Sequence, residues 1–380
     1  MKIGVFTDTY LPQVNGVVTS IQTSILELEK MGHEVSIFAP GIRGKTPDVP
    51  NIYRFHSMPL LGNKELRVVN PISKHLISLL KLDFDIIHSH TPFPMGLLAL
   101  TQASAKNIPV IHTYHTLFTQ YVHYLPMMEN LGVSWAKRAS KDYCNRCNAI
   151  ITPSNAMKQE LLSYGVKKPI EVIPTGIATN LIEKGNANLM RELNSIPPEV
   201  EIVSYVGRMA KEKNLDFLLR VFQKVAAQNK KPIQFMMIGD GPQRKHLQKL
   251  AHHLGIGTQV IFTGYVDKST LASWYKVSDV FAFASTTETQ GLVVLEAMSM
   301  GTPVVAIDAM GVSDIIRENL GGFASSANEE EFAKHILRLL SDDALRARKA
   351  IEARKQAETY SSQHMAEKLL GLYQKAIDNK

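Results

Sequence analysis

Short runs of apolar, often β-branched residues alternate with longer stretches of helical periodicity, and this alternation runs almost the whole length of the chain. Lys2–Thr7, Glu34–Phe38, Ile86–Ser89, Pro109–Tyr114, Ala149–Thr152 and Ile170–Ile173 read as buried strands in the first part. Glu201–Val206, Gln234–Ile238, Gln259–Phe262, Val280–Ala284 and Pro303–Ile307 repeat the style in the second. Amphipathic stretches such as Gly16–Met31, Asn214–Gln228 and Gln243–Leu254 lie between them. Apolar strands joined by helices need both faces of a parallel sheet covered, with right-handed crossovers. Eleven such runs are too many for one ordinary sheet, so the chain is expected to form two doubly wound, Rossmann-like α/β domains. The boundaries are placed at 1–172 and 173–360, with a last amphipathic helix in 361–380. Ala178–Val200 is polar, holds Pro197-Pro198, and reads as an early excursion of the second domain.

Composition removes several alternatives. Cys144 and Cys147 are the only cysteines, so a disulfide framework is excluded and a zinc ribbon would lack its second pair. The start, MKIGVFTDTY, does not read as a secretory signal, and no stretch approaches the roughly 20 apolar residues of a membrane span. A cytoplasmic protein, peripheral on the inner face of the membrane, is expected. Residues 1–170 hold 17 Lys and Arg against 11 Asp and Glu, and the remainder 25 against 24. The basic excess therefore sits in the first half, which suggests an anionic partner there, such as a membrane surface. A nucleic-acid partner is not expected, because no RNA-binding aromatic motif or zinc module accompanies the charge.

Four loops at strand ends carry candidate chemistry, and doubly wound sheets bind ligands at the carboxyl ends of their strands. Gly207-Arg208-Met209-Ala210-Lys211-Glu212-Lys213-Asn214 follows a strand and precedes a helix. There Arg208 and Lys213 offer two cations suited to a diphosphate. Glu288-Thr289-Gln290-Gly291-Leu292-Val293-Val294-Leu295-Glu296 places one glutamate before a glycine-led helix and one inside it. The amides of Gly291, Leu292 and Val293 form an anion site, and a carboxylate such as Glu296 can accept bonds from vicinal hydroxyls. Pro12-Gln13-Val14-Asn15-Gly16-Val17 follows the first strand, and Gly16 permits close backbone approach. Neither a Gly-x-Gly-x-x-Gly fingerprint nor a Walker pattern is present, which argues against nicotinamide and P-loop enzymes. His112-Thr113-Tyr114-His115-Thr116 ends a strand; His115 is the candidate for the site and His112 reads as structural. A metal reading would add His88 and His90, but no carboxylate or cysteine shell accompanies them.

Taken together in this order and spacing, these loops resemble the retaining glycosyltransferases of family 4, which have the GT-B fold. Gly32-His33-Glu34-Val35, Thr152-Pro153-Ser154 and Ile173-Pro174-Thr175-Gly176-Ile177 strengthen the likeness. The resemblance implies that Arg208 and Lys213 hold a nucleotide-sugar diphosphate, that Glu296 binds the ribose, and that Glu288 binds sugar hydroxyls. It implies that Gly291, Leu292 and Val293 cap the distal phosphate, that Gly16 approaches it, and that His115 sits beside the reacting sugar. The base falls near Val266, and the last helix returns to the first domain. No obligatory metal or cofactor is expected. Asp83-Phe84-Asp85 is the only Asp-x-Asp, and it precedes a strand where a metal-binding pair would end one.

Thr7-Asp8-Thr9-Tyr10-Leu11-Pro12-Gln13-Val14-Asn15-Gly16-Val17 and the histidine segment resemble, more narrowly, bacterial transferases that glucosylate diacylglycerol. That likeness implies UDP-glucose as donor and diacylglycerol as acceptor; other lipids, a soluble acceptor, or a nucleotide-sugar epimerase remain open. Independent of resemblance, Pro71–Lys81 reads as a basic amphipathic helix. Ile72, Leu76, Leu79 and Leu80 lie on one side, with Lys74 and Lys81 mostly opposite and Lys64 and Arg67 upstream. Such a helix can lie in an anionic membrane interface. Phe118–Trp135, followed by Lys137, Arg138 and Lys141, is a second candidate.

Overall fold

The computed structural model describes residues 1–13, 15–42, 46, 49–60, 63–70, 74–120, 129–177 and 185–380. The chain forms two compact units, Met1–Gly176 with Ser362–Lys380, and Ile177–Ser361.

The first unit contains strands β1 (Lys2–Phe6), β2 (Glu34–Gly41), β3 (Ile52–Leu60), β4 (Asn63–Val69), β5 (Ile86–Ser89), β6 (Val110–Thr113), β7 (Ala149–Thr152) and β8 (Ile170–Val172). Helices α1 (Gly16–Lys30), α2 (Lys74–Lys81), α3 (Pro94–Lys106), α4 (Glu129–Cys144) and α5 (Asn155–Ser163) lie among them. The sheet order is β4-β3-β2-β1-β5-β6-β7-β8. All neighbours are parallel except the edge pair β3 and β4. Buried Ile3, Val5, Ile37, Ile86, Ile111 and Ile151 form the sheet side of the core. Each such side chain contributes about 1.5–3 kcal/mol on leaving water.

The second unit contains α6 (Ala187–Leu193), then β9 (Glu201–Val206), β10 (Ile233–Ile238), β11 (Val260–Gly264), β12 (Val280–Phe283), β13 (Val304–Ile307) and β14 (Gly322–Ser325). Helices α7 (Leu215–Gln228), α8 (Arg244–His253), α9 (Lys268–Val277), α10 (Leu292–Ser299), α11 (Met310–Ile315), α12 (Glu329–Ser341) and α13 (Asp343–Glu358) cover it. The order β11-β10-β9-β12-β13-β14 is parallel throughout. The winding reverses between β9 and β12 here, and between β1 and β5 in the first unit. Loops diverge at such points and leave a crevice at the strand ends.

The last helix, α14 (Ser362–Asp378), belongs to the first unit. Its Leu369, Leu372, Tyr373 and Ala376 join the core beside Ile21, Ile25 and Leu28 of α1. The Ser362 hydroxyl donates to the Glu27 carboxylate at 2.9 Å.

The two parallel-sheet units and the returning helix agree with the sequence reading, and all eleven expected strands are present, their ends shifted by at most three residues. Three strands were not anticipated: β3, β4 and β14. The apolar side expected for Pro71–Lys81 is divided. Residues 71–73 lie outside the described residues; Leu79 is fully buried, Leu76 half-buried, and Leu80 55% exposed beside exposed Lys81. Lys64 lies on β4 and Lys74 opens α2. Arg67 is tied inward, donating to the Ser57 hydroxyl and carbonyl at 2.7 Å each. In the second candidate segment, residues 121–128 lie outside the described residues. Phe118 packs edge-on against Phe93 and Tyr114, whereas Trp135 is 66% exposed. No described helix is long and apolar enough to cross a membrane.

Candidate functional site

In the second unit the loops leaving β9 and β12 meet at the reversal of winding. After β9 the backbone turns at Gly207, whose φ of +152° lies at the edge of the glycine-favoured region. A Cβ there would meet the Tyr205 hydroxyl at 2.6 Å. That hydroxyl donates to the Arg208 carbonyl. Arg208 is exposed, and Lys211–Lys213 form one short 3-10 turn ended by Asn214 in the left-handed region. Asn214 donates to the Ala284 carbonyl, and the Ser285 hydroxyl to the Glu212 carbonyl. These bonds clamp the two loops and bring the Lys213 ammonium to 2.5 Å from the Glu288 carboxylate. Both side chains are about three-quarters buried, so the pair is shielded from solvent far more than a surface ion pair.

Gly291 stands in the left-handed region as the N-cap of α10 and brings no side chain of its own to cap that helix. The first amides of a helix lack partners within it, so Leu292 and Val293 present donors at a positive dipole end. The Glu288 carbonyl accepts from the Gly311 amide at 3.0 Å, which ties this loop to α11. A Cβ on Gly311 would lie 2.1 Å from the Thr289 carbonyl oxygen. Glu296, on the second turn of α10, is partly exposed, and the buried Tyr275 hydroxyl donates to its carboxylate at 2.7 Å. Burial, then the Glu296 charge, push the Tyr275 phenol well above its usual range, so it remains a donor. Val266 packs its side chain on the core while Tyr265 is 79% exposed. The Gly264 carbonyl accepts from the Gly239 amide, joining the ends of β10 and β11.

In the first unit the loop after β1 and the end of β5 meet in the same way. Asp8 is buried at the N-terminus of α3, accepting from Thr91 at 2.6 Å and from the Met95 amide at 3.2 Å. Burial raises its carboxyl to about 6 against the lowering effect of those bonds. Asn15 caps α1 by accepting from the Val18 amide at 3.0 Å. Gly16 follows it with open space where a Cβ would stand, so no described neighbour requires a glycine there.

Four imidazoles gather at the ends of β5 and β6. His90 Nδ1 lies 2.9 Å from His115 Nε2, with the rings stacked at 5.2 Å. His88 packs against His90 with centroids 4.0 Å apart and planes tilted by 34°, and is held between Tyr373 and Thr113, at 2.6 Å on each ring nitrogen. Burial keeps all four neutral: it lowers His88 and His90 far below their usual value, His115 to about 4 and His112 to about 3. His112, read from sequence as a satisfied structural residue, is only half satisfied. Its Nδ1 lies within bonding distance of the Ser89 carbonyl and hydroxyl, but its Nε2 is buried without a partner among the described residues.

Among the described residues no group of His, Cys, Asp or Glu is arranged to hold a metal. Asp85 accepts from the Lys2 amide and Asp83 pairs with Lys106, which places the Asp-x-Asp at the opposite end of β5 from the histidines. Cys144 and Cys147 are buried, and burial lifts the Cys144 thiol to about 12 and Cys147 higher, so neither is a thiolate at neutral pH. Sequence reasoning missed Tyr275, whose place in an apolar helical pattern reads as core. It also missed the pairing of His90 with His115, which requires knowing that β5 and β6 are neighbours.

Comparison with known proteins adds independent findings. Residues 187–356 match the model for glycosyl transferases group 1, and residues 14–181 match that for glycosyltransferase family 4. The alpha-monoglucosyldiacylglycerol synthase of Streptococcus pneumoniae is 37% identical over 90% of this chain and 78% of its own length. The Acholeplasma laidlawii protein of the same name is 27% identical over 100% of this chain and 98% of its own. Among solved structures, sucrose-phosphate synthase from Thermosynechococcus elongatus superposes with a TM-score of 0.79 at 19% identity, covering both chains fully. Anabaena HepE in complex with UDP gives 0.78 at 18%, over 99% of this chain and 100% of that one.

Proposed function

The chain belongs to the family 4 glycosyltransferases of GT-B fold, and from that premise we propose that it transfers glucose from UDP-glucose to the hydroxyl of diacylglycerol at an anionic membrane surface, giving alpha-monoglucosyldiacylglycerol. The acceptor rests on the likeness to the pneumococcal and Acholeplasma proteins, whose names state that product. The observation that carries the donor chemistry is the Lys213–Glu288 pair, whose glutamate lies in the loop that leads to the Gly291 start of α10 at the winding reversal of the second unit.

Breaking the bond from C1 to the phosphate oxygen leaves positive charge on the sugar and negative charge on the departing UDP. Arg208, Lys213 and the amides of Gly291, Leu292 and Val293 receive that negative charge as fixed dipoles and cations, with little reorganisation during the reaction. Glu288, held by Lys213, accepts from hydroxyls of the glucose. Glu296, held by Tyr275, accepts from the ribose hydroxyls, and the backbone at Val266 meets the base. His115 is assigned to a hydroxyl of the transferred sugar; as a neutral ring it acts as a hydrogen-bond partner and not as a proton donor of imidazolium type. The acceptor oxygen bonds to C1 and its proton leaves with the departing phosphate. UDP-glucose is an α-donor and the product is α, so the transfer retains configuration. The cationic work falls to Arg208, Lys213 and helix amides, and the reaction needs no divalent ion. The first unit, with its basic excess and exposed Leu80, Lys81 and Trp135, supplies the membrane-facing surface.

The test is a donor panel of UDP-glucose, UDP-galactose and GDP-mannose with vesicles holding diacylglycerol in neutral or anionic lipid, with and without EDTA. The expected product is α-glucosyldiacylglycerol from UDP-glucose, formed fastest on anionic vesicles and unchanged by EDTA. Transfer only to soluble acceptors, or turnover of donor without acceptor, overturns the proposal.

A further inference from the structure

His115 is the sugar-side residue of the proposed function, yet it stands on a loop beyond the end of β6, where a lone imidazole would turn freely about its side-chain bonds. It is not alone. Its Nε2 is 2.9 Å from His90 Nδ1, and the two rings are nearly parallel, 18° apart. His90 is 5% exposed and its own amide donates to the Phe6 carbonyl, so its backbone is fixed to β1. The other face of the row is closed by His88, at 4.0 Å between ring centroids. His88 cannot rotate without losing bonds at both nitrogens, to Tyr373 from α14 and to Thr113 from β6. A stack of this kind has little structural need of nitrogens: three apolar rings would fill the same volume without hydrogen bonds to satisfy. The polar atoms therefore point to a requirement for orientation.

We infer that His90 is a positioning residue for His115. Its Nδ1 holds His115 Nε2, leaving Nδ1 of His115 as the ring nitrogen presented to a sugar hydroxyl, and His88 with Tyr373 of the last helix keeps His90 in place. Whichever of the two bonded rings carries the shared proton, Nε2 of His115 is committed. The inference rests on the reading of His115 as a sugar contact.

Three variants and one spectrum test it. His115→Ala first checks the underlying reading. His90→Phe keeps a ring of similar size without nitrogen, and His90→Asn restores a polar atom near the position of Nδ1. A lost orienting hydrogen bond reaches ~10-fold in rate, so His90→Phe is expected to lower kcat about tenfold. The Kd of UDP should stay within about twofold, because the groups assigned to UDP lie elsewhere, and KM for UDP-glucose should change far less than kcat. His90→Asn should recover most of the lost kcat, which a merely space-filling residue would not do. If His115→Ala turns over normally, the sugar-contact reading falls and the inference with it. If His115→Ala is crippled while His90→Phe is normal, the inference alone is overturned. Should His90→Phe fail to fold, the wild-type protein labelled with 15N at histidine decides: a scalar coupling across the His90–His115 hydrogen bond supports the inference, and two uncoupled imidazoles overturn it.

Discussion

Replacing Gly311 by alanine should damage the enzyme through a loop that the new methyl group touches from behind. The φ of Gly311 lies outside the left-handed region, so alanine is not refused on backbone grounds. The obstacle is space: the Cβ would lie 2.1 Å from the Thr289 carbonyl oxygen and 2.6 Å from Gln290 Cα, and real Cβ contacts essentially never fall below 3.0 Å. Thr289 must therefore retreat by about 1 Å, carrying with it Glu288, whose carbonyl accepts from the Gly311 amide. Overpacking of this kind costs about 1–3 kcal/mol. For a unit of this size it should lower Tm by roughly 2–12 °C, at about 2–4 °C per kcal/mol. A displacement near 1 Å in a group that meets the substrate costs on the order of 100-fold in turnover. Calorimetry and steady-state kinetics with UDP-glucose measure the two effects separately, and turnover should fall far more than residual stability explains at 25 °C. Wild-type kcat in Gly311→Ala would refute the reasoning that this glycine sets the position of Glu288.

Arg208→Ala and Lys213→Ala should each reduce kcat by at least about 100-fold, in the range seen when a preorganised charge-stabilising group is removed, with circular dichroism unchanged. Near-normal rates would remove both from the diphosphate. Tyr275→Phe deletes one donor from a carboxylate; such bonds are worth about 1.5–3 kcal/mol, and partial exposure of Glu296 favours the lower end. UDP should bind about tenfold more weakly by titration calorimetry, with 2′,3′-dideoxy-UDP little affected; equal losses for both would count against the ribose assignment. The buried histidines set an acid limit. Their folded values lie below the unfolded one, near 6.5, so stability is fully present above that pH and is lost as pH falls toward about 4 and 3 for His115 and His112. Asp8, raised to about 6, works in the opposite sense and offsets part of the loss. Melting curves should show the first unit destabilised between pH 6.5 and 4, and replacing His112 by phenylalanine should flatten that slope.

What the sequence disclosed follows from burial. Strands such as β9 and β12 are buried on both faces, so every residue must be compatible with a core and the run is visible without context. β3 and β4 lie at one edge of their sheet. IYRFHSMPL mixes charge with Pro59, and NKELRVV carries three charged residues, because one side of such strands need not be apolar. β14 is only four residues and begins at Gly322, where a Cβ would collide with the Val304 carbonyl at 1.8 Å, so it reads as a turn. The candidate site shows the same division. Arg208, Lys213 and Glu288 lie in glycine-containing loops that follow strands, and Glu296 lies on the helix that Gly291 leads, so their charges show in the sequence at strand ends. Tyr275 bonds Glu296, and His90 bonds His115, from inside their own units. Their meaning depends on which element packs against which, and spacing along the chain does not carry it.

The placement of α14 decides the order in which this protein can be made. The first unit is interrupted by the whole of the second and lacks Leu369, Leu372, Tyr373 and Ala376 until residues 362–380 emerge from the ribosome. The second unit is continuous and can close its core while the first still shows bare apolar surface along α1. A nascent chain stalled before residue 362 should therefore present one finished unit and one open one, with Ile21, Ile25 and Leu28 exposed to chaperones until α14 has been made.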